Sequence, residues 1–371
     1  MYLKRFCLAL SFLLTSPTYT QIDSLWKQAP SLSLTGFADV YYIYDFNTPE
    51  NFRQNFFFNH NRHNEFNLNN AVLLFKLDHP KYRTNIGLHA GTYSQDNYGH
   101  EQVMLRSIYE ANIGISISKR NKVWIDAGIF SSHMGFESAL SIDNPTLTRS
   151  FVAESSPYYL SGAKITYTPS EKWEFAGIIS NGWQRIRRVP GSSIPSGGTQ
   201  IIFKPSKRFL INWSTFATSE YPDSSRRMRY FSNLYTDITP GDRFRLILGF
   251  DIGIEEPYDN PVYPKSKLFS TWIAPVAIAR FNFSKKWGMA IRAEYFKDKD
   301  GVIIYAPYPK GFNTLSSSIN LDYSPIPQIS CRVEGRVLVD ESRVYSRGDT
   351  YTKTNFFVGV SIAAKFEKIW K

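Results

Sequence analysis

The sequence has little cysteine and no long apolar run beyond its amino terminus. Of 371 residues only Cys7 and Cys331 are cysteines, and Cys7 lies inside a short apolar segment at the start of the chain. No stretch after residue 20 approaches the roughly 18 consecutive apolar residues of a transmembrane helix. These absences exclude membrane-spanning helices after residue 20. They also require a fold that holds without an internal disulfide once residues 1–20 are removed.

Residues 1–20 have the pattern of a secretory signal. Lys4 and Arg5 precede a short apolar run, and small residues lead to a plausible cleavage position after Thr20. We therefore predict that residues 1–20 are removed and that residues 21–371 form a single domain. The formal net charge is +11, so removal of two basic residues leaves +9. The remaining basic residues are dispersed along the chain, which argues against a nucleic-acid-binding patch.

Motifs for catalysis and metal binding are also missing. There is no G-x-S-x-G, no P-loop and no G-x-G-x-x-G opening a helix. His60 and His63 form the closest histidine cluster, but two histidines without a third ligand make a poor zinc site. No Ser/His pair with an orienting partner occurs at a recognisable spacing, so a hydrolase at the rim of the fold is the weakest hypothesis. We predict no catalytic residue, no metal and no cofactor.

The chain contains instead many stretches in which apolar and polar residues alternate. Between 243 and 255, one parity is apolar throughout, while the other includes Arg243, Arg245, Asp251 and Glu255. A period of two predicts a strand with two chemically different faces. An apolar face of this length, backed by charges, is typical of a strand with lipid on one side and water on the other.

Short and long connections alternate along the chain. Seven tight turns separate eight longer polar segments, which are approximately 47–63, 95–104, 132–157, 184–195, 220–225, 256–267, 299–311 and 341–353. Fifteen connections divide sixteen strands. A soluble sandwich requires no such asymmetry in loop length. We therefore predict an all-β fold, a transmembrane antiparallel β-barrel of about 16 strands with short periplasmic turns and long extracellular loops.

Three short segments make the chain similar to a known family. They are Glu154–Tyr159 continuing into Ser161–Lys164, Asn144-Pro145 with Thr148–Ser150, and Asn181–Gln184. With these segments the chain resembles the β-barrel porins of the OmpL-like type, which are common in Bacteroidota. The resemblance implies a channel of the bacterial outer membrane, and it implies no particular solute.

The longest connection, 132–157, is rather apolar for a solvated loop and carries Glu137, Asp143, Arg149 and Glu154. General porins fold the loop after their fifth strand into the lumen, so by resemblance this segment is the candidate constriction loop. An acidic loop that faces an arginine-bearing wall would produce a transverse field acting on polar solutes. The alternative is an extracellular loop that packs on its neighbours.

The inward parity of the strands contains more arginine than acid. The predicted pore-lining residues are Arg83, Arg106, Glu110, Asp126, Arg227, Arg229, Arg243, Arg245, Arg292, Arg332, Glu334 and Arg336. The excess of arginine predicts a weak preference for anions. The alternative for any of these residues is an ordinary salt bridge across adjacent strands.

Together these features predict an outer-membrane porin that passes small hydrophilic or anionic solutes by passive diffusion. The alternative is a non-conducting barrel with a loop-plugged lumen that acts as a surface-binding or structural protein. The expected partners are outer-membrane lipids, the barrel-assembly machinery and, by analogy with sixteen-stranded porins, two further copies of the chain in a homotrimer. No nucleic-acid partner is expected.

Overall fold

Sixteen strands of the chain form one closed antiparallel barrel in the computed structural model, which describes residues 24–257, 268–306 and 311–370. The predicted signal segment 1–20 lies outside the described residues. The barrel strands are β1 (Ser31–Asp45), β2 (Phe66–Asp78), β3 (Tyr82–Ala90), β4 (Ile108–Ser116), β5 (Val123–Ser131), β6 (Tyr159–Ser170), β7 (Trp173–Ser180), β8 (Ser196–Ser206), β9 (Phe209–Thr218), β10 (Arg229–Gly241), β11 (Phe244–Glu255), β12 (Ser270–Asn282), β13 (Trp287–Asp298), β14 (Phe312–Tyr323), β15 (Ile329–Asp340) and β18 (Thr354–Trp370).

The barrel closes where the first strand meets the last. Strands β1 and β18 pair antiparallel from Leu32 opposite Trp370 to Asp45 opposite Phe357. Every other strand pairs with its neighbours in the chain, so seven short turns lie at one end of the barrel and eight long connections at the other. The predicted strand number, the antiparallel pairing and the alternation of short and long connections are confirmed.

The long connections contain the remaining regular structure. Two strands, β16 (Tyr345–Arg347) and β17 (Thr350–Thr352), form a small hairpin between β15 and β18. Two short helices, α1 (Thr92–Asn97) and α2 (Phe151–Glu154), and four 3-10 turns (Ser24–Lys27, Val103–Ser107, Ser141–Asp143 and Asp223–Ser225) complete the described elements. Within the described ranges, no helix has the length and apolar character needed to cross a membrane.

The strands have an apolar outer face and a more polar inner face, as the alternation predicts. In β11, Leu248, Phe250 and Ile252 are exposed on the outside, whereas Asp251 and Glu255 are buried inside. A side chain alternates between faces at each residue of a strand, so the same strand serves lipid and lumen at once.

An apolar cluster fills part of the space inside the barrel near its long-loop end. Phe151, in the 132–158 connection, packs against Phe296 with ring centroids 5.4 Å apart, and Phe56, in the 46–65 connection, lies 5.0 Å from Phe312. These rings are buried, and a fully buried side chain of this size contributes roughly 1.5–3 kcal/mol to stability. Two long connections therefore fold inward and pack on the wall.

Candidate functional site

The 132–158 connection leaves β5 and enters the barrel directly. A ring N–H of His133 donates to the carbonyl oxygen of Thr215 on β9 at 3.1 Å. Two residues later, the amide of Gly135 donates to the side-chain oxygen of Asn233 on β10, also at 3.1 Å. Thr215 and Asn233 lie on strands well separated from β5 in the barrel order. The segment therefore crosses the lumen from its first residues.

The middle of the same segment reaches strands β13 and β14. The Leu147 amide donates to the Asn320 side chain at 2.9 Å, and the Phe151 amide donates to the Glu294 carboxylate at 2.7 Å. Asn320 and Glu294 are buried on the inner face of the barrel. The segment therefore lies inside the barrel rather than above its rim. Its constricting role stays a prediction.

Arg332 on β15 binds backbone carbonyl groups of the 132–158 connection, which is called the inward segment from here on. The contacts lie within residues 138–147, the tip of that segment. The guanidinium donates to the carbonyl oxygens of Ser141 at 2.7 Å and Asn144 at 2.9 Å. On β12, Arg280 donates to the carbonyl oxygen of Pro145 at 3.1 Å. A guanidinium carries five N–H donors in a fixed fork, so it can satisfy several carbonyl oxygens of a segment that has little regular structure.

Two further arginines bind the next part of the segment. Arg292 on β13 donates to the carbonyl oxygen of Thr148 at 2.7 Å, and Arg336 on β15 donates to the carbonyl oxygen of Arg149 at 3.0 Å. Both side chains are fully buried. A buried charge is tolerated when it is paired and hydrogen-bonded, and these contacts supply part of that requirement.

Wall carboxylates supply the rest of the pairing. Glu334 accepts a hydrogen bond from the Thr148 amide at 2.6 Å and forms an ion pair with Arg292 at 2.9 Å. Glu294 forms an ion pair with Arg336 at 2.6 Å. The charges on this part of the wall therefore neutralise one another and fasten the segment, and they are not in contact with an aqueous channel.

The two acidic residues Glu137 and Asp143 of the segment have different partners, one within the segment and one on the barrel wall. Glu137 accepts hydrogen bonds from the amide and hydroxyl of Ser150, the first at 3.1 Å. Burial raises the pKa of Glu137, and the positive charge of Arg149 lowers it in part. Asp143 forms an ion pair with Lys365 on β18 at 2.8 Å and keeps 38% of its side chain exposed.

Arg149 and Glu154, the other two charged residues of the segment, are buried. Arg149 is fully buried and donates to the carbonyl oxygen of Ala139 at 3.2 Å. Glu154 accepts from the amides of Phe58 at 3.0 Å and Asn59 at 3.3 Å, in the other inward connection. Burial raises the pKa of Glu154 to about 7, although these donors favour its charged form. The transverse field predicted for this loop stays a prediction.

Elsewhere on the wall, inner-face charges keep contact with solvent. Arg83 on β3 pairs with Asp126 on β5 at 2.6 Å, and its side chain is 35% exposed. Arg245 on β11 pairs with Asp237 on β10 at 2.7 Å, and its side chain is 34% exposed. The side chain of Arg292, by contrast, has no exposed surface. The lumen is therefore filled beside the middle of β13–β15 and accessible at the short-turn ends of β3 and β11.

Of the remaining predicted pore-lining residues, two lie on strands and three lie in connections between strands. Arg229 forms a buried ion pair with Glu255 at 2.6 Å, and Glu110 is buried on β4. Three lie in connections at the two mouths rather than on strands: Arg106, Arg227 and Arg243. A pore-lining role for the predicted set as a whole stays a prediction.

Sequence reasoning missed the second inward connection, 46–65. Arg53 is buried there with its guanidinium carbon 3.6 Å from the ring centroid of Phe357, and it donates to the carbonyl oxygen of His60 at 3.0 Å. Burial lowers the pKa of Arg53 to about 10. The consecutive aromatics at 56–58 were the available signal, because three phenylalanines are unusual in a solvated loop.

One histidine of the His60/His63 pair is engaged by an aspartate. The histidine of the candidate cluster, His60, lies 2.8 Å from the Asp39 carboxylate and is fully buried with it. Among residues 24–257, 268–306 and 311–370, no three side chains of the types that ligate metals come together. The Asp39 carboxylate and the His60 imidazole form a buried hydrogen-bonded pair.

The sequence profile of one family matches residues 31–366, and that family is described as "Putative beta-barrel porin-2, OmpL-like". The chain belongs to this family. As a member of a porin family with an outer-membrane fold, it is a channel-type barrel of the bacterial outer membrane. A search of curated proteins finds no match to the sequence.

Solved porin structures share the fold at low sequence identity. The anion-selective porin from Comamonas acidovorans superposes with a TM-score of 0.60 and 7% identity over 91% of this chain and 100% of that one. Salmonella typhi OmpF in complex with daunomycin superposes with a TM-score of 0.61 and 13% identity, over 90% of this chain and 97% of that one. The trimer form of Vibrio cholerae OmpT superposes with a TM-score of 0.59 and 8% identity, over 91% of this chain and 100% of that one.

Proposed function

We propose that the chain is a pore for passive diffusion of small hydrophilic solutes, narrowed by residues 132–157. A sixteen-stranded barrel is wide enough to enclose an aqueous channel. The observation that carries the proposal is the difference in exposure between wall charges at the short-turn mouth and wall charges beside the inward segment. Arg292 is fully buried against the inward segment, whereas Arg83 and Arg245 remain about one third exposed. In this proposal the segment narrows the middle of the lumen, and the exposed charges at the short-turn mouth mark where solutes enter or leave.

A weak preference for anions forms part of the proposal. The arginines that bind the inward segment do not contribute to it, because Glu334 and Glu294 neutralise Arg292 and Arg336. The partly exposed ion pairs are neutral as well. Lys164 on the inner face of β6 is the better candidate, since no residue of the described ranges forms an ion pair with it.

The periplasmic mouth adds positive charge. A cavity of about 420 Å³ between two short turns has basic and acidic lining residues, which are Arg243, Arg280, Lys285 and Lys286 against Asp242 and Asp322. Four positive and two negative charges leave an excess of two positive charges. Such an excess at a mouth raises the local concentration of anions.

The test is the reversal potential of the purified, refolded protein in a planar bilayer under a potassium chloride gradient. The proposal predicts a potential that favours chloride. Lys164→Gln should lower the chloride-to-potassium permeability ratio about fourfold, because one charge about 10 Å from the ion path in water changes the energy of each ion by about 0.4 kcal/mol, with opposite signs for the two ions. Lys297→Gln is the matched control, because Lys297 lies on the outer face of β13. A potential that favours potassium in the unmodified protein would contradict the anion preference.

One observation favours a second candidate, a non-conducting barrel that acts as a surface-binding or structural protein. The apolar cluster inside the barrel includes Phe56, Phe151, Phe312 and Tyr345, all of them buried. Packing of this kind could close the lumen as well as narrow it. A folded barrel that gives no current at any voltage would favour this candidate.

The remaining expectations belong to the same proposal. The Vibrio cholerae OmpT structure is described as a trimer form, which supports a homotrimer here. The exposed apolar outer face supports contact with outer-membrane lipids, and the aromatic end of β18 supports recognition by the barrel-assembly machinery. We also propose that residues 1–20 are a cleaved signal and that the protein has no catalytic activity and needs no cofactor.

A further inference from the structure

A cavity of about 280 Å³ lies inside the barrel between the inward segment and the inner faces of β4–β6. Its lining contains six tyrosines: Tyr93, Tyr98, Tyr109, Tyr158, Tyr159 and Tyr235. They come from a long loop, from three strands and from the inward segment itself. Residues far apart in sequence therefore converge on one small space.

The tyrosine rings hold one another in place. Tyr98 stacks on Tyr159 with ring centroids 3.9 Å apart and ring planes inclined by 12°. Tyr93 meets Tyr158 edge to face at 5.7 Å. Aromatic pairs in these geometries are favourable beyond the area that they bury. The aromatic surface of the cavity is therefore preorganised.

Several hydroxyl groups of the cluster are left without a partner. The hydroxyls of Tyr158 and Tyr159 are buried without a hydrogen-bond partner among the described residues. Tyr93 and Tyr98 are only 1% exposed, and no described residue forms a hydrogen bond with their hydroxyls either. Buried tyrosine hydroxyls usually find a hydrogen-bond partner. These groups are therefore available to a polar molecule in the cavity.

The charge of the cavity argues against an ionic ligand. Its described lining includes no basic residue, and its one acid is Glu137. Glu137 is already engaged by the amide and hydroxyl of Ser150. The rings of Tyr109, Tyr158 and Tyr235 are partly exposed in this lining, whereas Tyr98 and Tyr159 cover each other. Partly exposed aromatic rings and free hydroxyls, without a free charge, suit a neutral molecule that has both C–H faces and hydroxyl groups.

We propose that the cavity binds a single neutral sugar ring, a monosaccharide unit on its way through the pore. The proposal rests on the pore function and names a solute class for it. The C–H face of a pyranose packs on an aromatic face, and its hydroxyls pair with tyrosine hydroxyls, which both donate and accept. The volume lies just below the range of about 300–1,000 Å³ typical of ligand pockets, which matches one ring rather than a chain.

The test uses D-glucose as the probe and measures its half-blocking concentration on the ion current in a planar bilayer. Tyr93→Phe and Tyr98→Phe each remove one unpaired hydroxyl and keep the ring. Each should raise the half-blocking concentration about fivefold, the factor for one hydrogen bond of ordinary strength. Tyr230→Phe is the matched control, because Tyr230 is exposed on the outer face of β10. It should leave the concentration unchanged.

Calorimetric titration of the detergent-solubilised protein separates this inference from the pore function. Glucose binding that weakens in both cavity variants supports the site even when no current is seen, and the pore function then fails alone. A normal salt current with neither glucose block nor glucose binding overturns the site and leaves the pore function standing. Sorbitol, which carries hydroxyls on an open chain, should bind more weakly than glucose, and equal binding would overturn recognition of a ring.

Discussion

Arg332 shows how a charged wall residue of a barrel can serve the backbone of a loop instead of a solute. Its guanidinium donates to the carbonyl oxygens of Ser141 and Asn144, and it forms an ion pair with Asp322 at 3.2 Å. The side chain is 3% exposed. Taking a charge out of water is costly, so a residue of this kind stabilises the fold only while its partners stay in place.

Replacement of Arg332 by alanine should therefore loosen the inward segment. The variant removes a donor from the carbonyl oxygens of Ser141 and Asn144 and one of the two arginines that pair with Asp322, which keeps its contact with Arg280. Buried hydrogen bonds left unmade cost about 1–3 kcal/mol each, so we expect a loss of about that size or more. Chemical unfolding of the refolded barrel measures this loss, and limited proteolysis within 138–147 should become faster.

Arg245→Ala is the control for that substitution. Arg245 also pairs with a carboxylate, but its side chain is 34% exposed, and exposed pairs contribute about 0–1 kcal/mol. Equal losses of stability in the two variants would show that the inward segment does not depend on Arg332.

Glu154 gives the protein a pH dependence at one contact between the two inward connections. Burial raises its pKa from the ordinary value of 4.5 to about 7. Between these values the folded state keeps a proton that the unfolded chain has lost. The contribution to stability is therefore present at low pH and is lost as pH rises through about 7.

We expect the free energy of unfolding of the unmodified protein to fall by up to about 3 kcal/mol between pH 5 and pH 8 on account of this group. Glu154→Gln should remove that part of the pH dependence, because the amide has no proton to lose in this range. Glu171→Gln, in an exposed short turn, is the control and should keep it. The same slope in all three proteins would rule out a role for Glu154.

At the scale of strands, close contact between β11 and β12 depends on a residue without a side chain. Gly253 lies opposite Trp272, and a Cβ at Gly253 would come 1.9 Å from an atom of the indole ring. Trp272 is 1% exposed and has no room to move away. The glycine therefore makes the position of the largest buried ring on β12 possible.

Gly253→Ala should destabilise the barrel by about 1–3 kcal/mol, the usual cost of overpacking. The temperature at which the barrel loses its compact migration on a gel measures the effect. Gly241→Ala is the matched control on the adjacent strand, because no atom lies within 4 Å of a Cβ built there. A Gly253→Ala barrel as heat-resistant as the control would contradict the packing described for Trp272.

The strands could be predicted from the sequence because the signals that define them are local. Alternation with period two, tight turns and polar connections all occur within about a dozen residues of each other, and lipid outside the barrel makes the apolar face continuous. The face of β11 that carries Leu248, Phe250 and Ile252 is outside, as its pattern predicts. The number of strands follows from counting connections.

The candidate site could be predicted only in part because its contacts are remote in sequence. The hydrogen bond between Thr148 and Glu334 joins residues 186 positions apart. Alternation places Glu334 on the inner face, but it does not show whether water or a loop will meet it there. The same limit hid the tyrosine cavity, since Tyr98 and Tyr159 are both unremarkable until the fold stacks their rings.

At the scale of the whole molecule, the barrel has an interior of two kinds. Beside β13–β15 the wall charges pair with one another and bind the inward segment, so this side resembles the core of a soluble protein. At the short-turn ends of β3 and β11 the charges are paired but partly exposed, so this mouth of the barrel is accessible to solvent. The proposal of a loop-narrowed pore predicts that the inward segment sets the width of the remaining space.

The single-channel conductance of the unmodified protein and of a variant lacking residues 138–147 tests this account most directly. The unmodified barrel should open in discrete steps, and the deletion should raise the size of each step, because it removes the tip of the segment from the lumen. Arg332→Ala, which loosens the tip without shortening the chain, should raise the step or its noise in the same direction. A folded, heat-modifiable barrel that conducts no current, with or without the tip, would contradict the proposal of a loop-narrowed pore.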